Sequence, residues 1–164
     1  TPAHVQQEFR SKLAERLIAR TIEVQRVEIF YDLARLKETL SNVLRYDGCP
    51  YYVKSFCPGL KEVVPGLGGY IIGDEHFIIG AYWTGLPPHN KPGLHISGQP
   101  YRAFFDAYWG TIWQRGTVLN ISGSRDLSEL RKVALTLGLE PDGWDRFVEE
   151  ARAFEVGDGA PPLI

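Results

Sequence analysis

Between Val24 and Cys57 the chain changes its hydrophobic pattern twice, and that change restricts its folds more than any other feature. The run "VQRVEIFYD" brings Val24, Val27, Ile29 and Tyr31 into one β-rich segment. Asp32 closes it and is placed to cap the run that follows, "LARLKETLSNVLRY". There Leu33, Leu36, Leu40, Val43 and Leu44 fall on one face of a helix. "DGCP" ends that helix before a second β-rich run, "YYVKSFC". The predicted opening is therefore strand, helix, strand, which belongs to the α/β class.

Pro58, Gly59, Pro65, Gly66, Gly68 and Gly69 make the next section a loop, with an apolar turn at "LKEVV". "GGYIIGDEHFIIGAYW" then predicts a β-hairpin, with strands at 70–72 and 77–82 joined through Gly73, Asp74, Glu75 and His76. "TGLPPHNKPGLHISGQP" reads as a long loop with a short strand at "LHIS", and loops of this length in small domains often carry function. In "PYRAFFDAYWGTIWQRG" the residues Tyr101, Phe104, Phe105, Tyr108, Trp109, Ile112 and Trp113 recur at helical spacing between a Pro100 start and a Gly116 stop. That aromatic stripe is read as the face with which a helix covers a sheet, in preference to a stacking surface for a cofactor or nucleobase. One mixed sheet is expected, built from residues 25–31, 51–57, 70–73 and 77–83, with the helices at 33–45 and 101–115 packed on it.

The two ends are helical. Val5, Phe9, Leu13 and Leu17, with Ile18 and Ile22 beside them, mark an amphipathic helix in residues 1–23, a core helix or a connector to another domain. Near the other end, Leu127, Leu130, Val133, Ala134 and Leu137 form one apolar face, and Trp144, Phe147, Val148 and Ala151 form a second. A helical hairpin over 123–155 is predicted, followed by a linker stub at 156–164. Its Gly-Leu-x-Pro connection resembles that of DNA-binding helix pairs, but Glu140, Asp142, Asp145, Glu149 and Glu150 disfavour phosphate contact.

Length and charge narrow the function. A chain of 164 residues suits one domain with a small appendage. With 18 basic and 20 acidic side chains the net charge is -2, so no global electrostatic case exists for a nucleic-acid or membrane-surface partner. Cys49 and Cys57 have no histidine at ligand spacing, so they predict reduced thiols of a cytosolic protein and no zinc site. No run reaches the roughly 20 apolar residues of a membrane span, and the amphipathic start lacks a signal-peptide core. A cytoplasmic location is expected. The Thr1 start, the absence of Met and the ending "GAPPLI" suggest a piece of a longer polypeptide, whose other domains are then expected partners.

The hairpin resembles, in outline, the catalytic hairpin of phospholipase-D-type phosphodiesterases, H-x-K-x4-D-x6-G-S. In that motif a His attacks phosphorus, a Lys neutralises its oxygens and a Gly-Ser pair admits phosphate to the backbone. Here Asp74 falls in the turn and Gly80-Ala81 stand near the Gly-Ser position, after a spacer one residue shorter. Counting back from Asp74, Leu67 occupies the His position and Gly69 the Lys position, so both catalytic residues are absent. The layout of residues 24–116 is similar to the degenerate phospholipase-D-like domains attached to bacterial helix-turn-helix regulators and related signalling or defence proteins. The resemblance implies an α/β domain over 24–122, a mixed sheet flanked by helices, with the small C-terminal helical hairpin outside it. It implies a non-catalytic sensor or regulatory domain that binds a small anionic ligand or a partner domain, without cofactor or metal. The alternatives are a phosphodiesterase or nuclease using His89, Lys91 and His95, and a plain protein-interaction module.

The candidate ligand-binding residues are His89, Lys91, His95 and Ser97, in "HNKPGLHIS". That stretch holds an H-x-K, but nothing acidic follows at the spacing the motif requires, so solvated or locally hydrogen-bonded side chains are expected first, ligand contact next and catalysis last. "GLGG" lacks the Lys-Ser/Thr ending of a nucleotide loop and reads as a turn. Asp74 and Glu75 read as solvated turn residues, and His76 as the start of the second strand. Tyr82 and Trp83 are the expected anchors of a homodimer, in which two single hairpins recreate the paired arrangement common in phospholipase-D-type folds.

Overall fold

The structure is a computed structural model that describes residues 3–30, 32–56, 68–73, 76–80, 93–120 and 126–154. The chain is a mixed α/β protein of two compact units. One comprises Thr1–Leu60 and Gly116–Ile164, the other Lys61–Arg115. In sequence, the second unit is an insertion into the first.

In the first unit, α1 (Ala3–Ile18) precedes β1 (Val24–Ile29), α2 (Leu33–Arg45) and β2 (Tyr51–Phe56). The strand–helix–strand opening forms as its pattern predicts: β1 and β2 pair in parallel from Val24↔Tyr51 to Ile29↔Phe56, and α2 is their crossover. Asp32 caps α2 in extended conformation, its Oδ1 accepting from the Arg35 N–H at 2.8 Å. Leu36, Leu40 and Val43 of α2 are buried with Phe30, Tyr51 and Val53. α1 is part of this core: Ala14 and Leu17 are buried in it. Arg20, which follows α1 in the left-handed region at φ 56°, donates its Nη2–H to the Gly48 carbonyl at 2.8 Å and so joins the end of α1 to the end of α2.

After the insertion the chain returns as β6 (Thr117–Asn120), then α4 (Ser128–Thr136) and α5 (Trp144–Arg152). Strand β6 lies antiparallel beside β2, giving a small mixed sheet of order β1-β2-β6 flanked by helices. Leu130, Val133 and Ala134 of α4 and Trp144, Phe147, Val148 and Ala151 of α5 complete the same core. Gly138, at φ 92°, ends α4: its N–H reaches the Leu135 carbonyl at 3.1 Å and the Leu139 N–H reaches that of Ala134 at 3.0 Å. A 3-10 turn at Pro141–Gly143 then starts α5.

The second unit contains β3 (Gly68–Ile72), β4 (His76–Gly80) and β5 (Gly93–Ser97), a 3-10 turn at Gln99–Tyr101, and α3 (Arg102–Arg115). The three strands form an antiparallel meander, paired Ile72↔His76 to Gly68↔Gly80 and Gly80↔Gly93 to His76↔Ser97. Phe77 of β4 is fully buried and stacks on Phe105 of α3, ring centroids 4.1 Å apart and planes 15° apart. Of the aromatic stripe only Phe105 is buried, while Tyr101 and Phe104 are exposed, so α3 meets the sheet through Phe105 and not along the whole stripe.

One sequence expectation is corrected. The four early strands do not share a sheet: β1 and β2 belong to one, β3 and β4 to the other. Both edges of β2 are occupied, by β1 and by β6, so the hairpin pairs instead with β5, the strand anticipated at "LHIS". Helices α2 and α3 consequently belong to different units. Among the described residues no helix is long and apolar enough to cross a membrane.

Candidate functional site

Side chains alternate between the two faces of a strand. Phe77 turns to the α3 side of β4, so its neighbour His76 emerges on the other side, where it is exposed. His76 pairs with Ser97, and Ile78 with His95, so His76 and His95 are diagonal neighbours on adjacent strands. Their rings meet: His76 Nδ1 lies 3.3 Å from His95 Nε2, with centroids 5.4 Å apart and planes tilted by 34°. His95 and Ser97 share this face by their two-residue spacing, and both are exposed. On the opposite face of β4, Phe77 is packed against Phe105. Gly98, at φ 117°, then carries the chain off the sheet into the turn before α3.

Of the residues singled out in the sequence, His95 and Ser97 belong to this face. His89, Lys91, Tyr82 and Trp83 lie outside the described residues, as do Asp74, Glu75 and Leu67. His76 is the member that sequence reasoning places only as the start of a strand. Its contact with His95 follows from the β4–β5 register, which a 12-residue connection between Gly80 and Gly93 leaves unreadable in the sequence.

A second polar cluster occupies the first unit. Arg26 contacts Glu28 through its Nε, and its Nη1 donates to the Tyr51 hydroxyl at 3.3 Å. Arg35 grips the same carboxylate from α2, with Nε at 3.2 Å from Oε2 and Nη2 at 3.1 Å from Oε1, while its Nη1 reaches Glu38 Oε2 at 2.6 Å. Burial opposes charge on Arg26, yet Tyr51 and Glu28 hold its pKa well above the usual value. Burial also pushes the Tyr51 phenol up, against the pull of Arg26. Two guanidiniums face two carboxylates here, so the cluster is electrically closed and holds β1, β2 and α2 together. Sequence reasoning passed over it, although Arg26 and Glu28 stand two apart in β1 and so on one face of the strand.

A groove of about 400 Å³ runs between α2 and α5, lined by Leu33, Ala34, Lys37, Phe147, Glu150 and Phe154 among others. Its lysine is already engaged: Lys37 Nζ lies 2.5 Å from Glu150 Oε2 and 5.3 Å from the centre of the Phe147 ring. Thr39 and Asn42 are fully buried and out of reach of a diffusing ligand. The β4–β5 face therefore offers exposed, chemically versatile side chains where the other clusters are closed or apolar. Among the described residues no group of three or more His, Cys, Asp or Glu side chains is placed to hold a metal ion. In comparisons with known proteins, no family model, no curated protein and no solved structure matches this chain.

Proposed function

We propose that the chain is a non-catalytic regulatory domain that binds a small anionic ligand on the open face of β4 and β5. The observation that carries this reading is the exposed trio His76, His95 and Ser97 on one face of the β4–β5 pair. Imidazole N–H and hydroxyl groups on this face are the donors an oxyanion needs. The absence of catalysis has two supports. Leu67 and Gly69 stand where the phospholipase-D-type motif has its His and Lys. An in-line displacement puts the attacking and leaving atoms on opposite sides of phosphorus, and two ring nitrogens 3.3 Å apart do not straddle one.

Calorimetric titration with inorganic phosphate and pyrophosphate, in EDTA, tests the reading. Binding is expected to weaken about tenfold or more in His95→Ala. Wild-type protein that takes up neither anion at millimolar concentration would refute it. Hydrolysis of a generic phosphodiester that disappears in His95→Ala would replace it with the phosphodiesterase alternative.

A further inference from the structure

We propose that His76 and His95 together hold one divalent transition-metal ion of the zinc, nickel or copper class. The distance between their facing nitrogens suits two kinds of contact. His76 Nδ1 and His95 Nε2 face each other at 3.3 Å, within reach of an N–H···N hydrogen bond whose donor depends on the tautomers. Two imidazoles on a tetrahedral ion, with metal–nitrogen bonds of about 2.0–2.1 Å, hold their nitrogens about 3.3–3.4 Å apart. The pair thus has the span of two ligands of one metal ion before any ion arrives.

Three further observations support it. The rings sit on neighbouring strands of fixed register, so little ordering is required on binding. Both are exposed, so an ion reaches them and keeps water in its remaining positions. The donors are nitrogens, which suit zinc, copper and nickel and give no purchase to magnesium or calcium. Because no third ligand among the described residues closes the site, the bound ion retains open positions for an oxyanion. That last step alone rests on the anion-binding reading; the metal site stands on the geometry of the pair.

The test is titration of EDTA-treated, dialysed protein with zinc chloride by calorimetry and with cobalt(II) by visible absorption. One ion per chain is expected, with affinity reduced about tenfold or more in His76→Ala and in His95→Ala, and unchanged in His4→Ala. Histidine ring-nitrogen NMR of the wild type supplies a readout independent of any folding defect: His76 Nδ1 and His95 Nε2 are expected to shift on zinc addition. No binding at micromolar zinc, unshifted ring nitrogens, or full affinity in either alanine variant would overturn the proposal. Phosphate binding in EDTA without zinc binding would leave the anion reading and remove the metal. Zinc binding without phosphate binding in either condition would do the reverse.

Discussion

Asn120, the last residue of β6, donates its side-chain Nδ2–H to the backbone carbonyl of Tyr51, the first residue of β2, at 2.8 Å, and both residues are buried. The β2–β6 ladder is irregular at this point: Val53 pairs with Asn120 and Lys54 with Val118, so Leu119 is the extra residue of a bulge. The amide of Asn120 adds a cross-strand bond beyond the last ladder pair, Val53↔Asn120. Replacing Asn120 by Ala leaves a buried carbonyl short of a donor and is expected to destabilise the protein by roughly 1–3 kcal/mol. Asn120→Asp sets an acceptor against an acceptor and should do no better. A urea midpoint unchanged in both variants would refute this role.

Glu28 is the shared acceptor of Arg26 and Arg35, and its side chain and that of Arg26 are each only 10% exposed. Removing it as Glu28→Ala strands a buried guanidinium, and a loss of about 3–5 kcal/mol is expected. Arg35→Ala removes a partner that is 38% exposed and should cost well under half as much, because solvent already screens it. Replacing both buried partners, as Arg26→Met with Glu28→Leu, is expected to recover most of the loss, since no unpaired charge remains. A double variant as unstable as Glu28→Ala would show that the pair contributes more than mutual neutralisation.

Tyr46 and Tyr51 lie side by side in the core, with ring centroids 5.7 Å apart. Burial pushes the Tyr46 phenol up to about 12, and it raises that of Tyr51 as well. Each folded pKa therefore lies above the unfolded value of about 10. The fold favours the neutral phenols: this stabilisation is complete below about pH 10 and is lost as pH rises toward about 12. Alkaline titration should show these phenolates appearing together with loss of far-ultraviolet dichroism, and Tyr46→Phe should move that unfolding to higher pH. Ionisation of all eight tyrosines with the dichroism intact would contradict it.

What the sequence disclosed was local. Asp32 as cap, the Leu36–Leu40–Val43 face of α2 and the two-residue alternation of the strands all arise from neighbours close in the chain, and these elements form where their patterns lie. Sheet membership was not legible, because the choice of β6 over the hairpin as neighbour of β2 is decided by pairing across the whole insertion. The same holds for the site. His95 and Ser97 stand out as polar residues in a loop-like stretch, but the partnership of His95 with His76 needs the register of β4 on β5. The Arg26–Glu28–Arg35 cluster likewise joins a strand and a helix, and composition alone reads its members as ordinary surface charges.

The stack of Phe77 on Phe105 connects packing in the second unit to the chemistry of its open face. Phe77 is wholly buried and Phe105 is 7% exposed, so Phe105→Ala opens a cavity beneath β4, at a local expense of about 3–5 kcal/mol. His76 is the direct neighbour of Phe77 in β4, on the other face, and its approach to His95 depends on that strand holding its place on β5. Phe105→Ala changes no donor on the histidine face. It is nevertheless expected to lower amide-exchange protection across β4 and β5 and to weaken zinc and phosphate binding together, by about tenfold if the pair loses its fixed spacing. Phe105→Leu, which refills most of the volume, should restore a large part of both. The decisive comparison is with Phe104→Ala: that ring, on the same helix, is 59% exposed and touches Phe105 edge-on, so its removal should leave strand protection and binding close to wild type. If Phe104→Ala and Phe105→Ala affect protection and binding equally, the spacing of His76 and His95 does not depend on the buried stack.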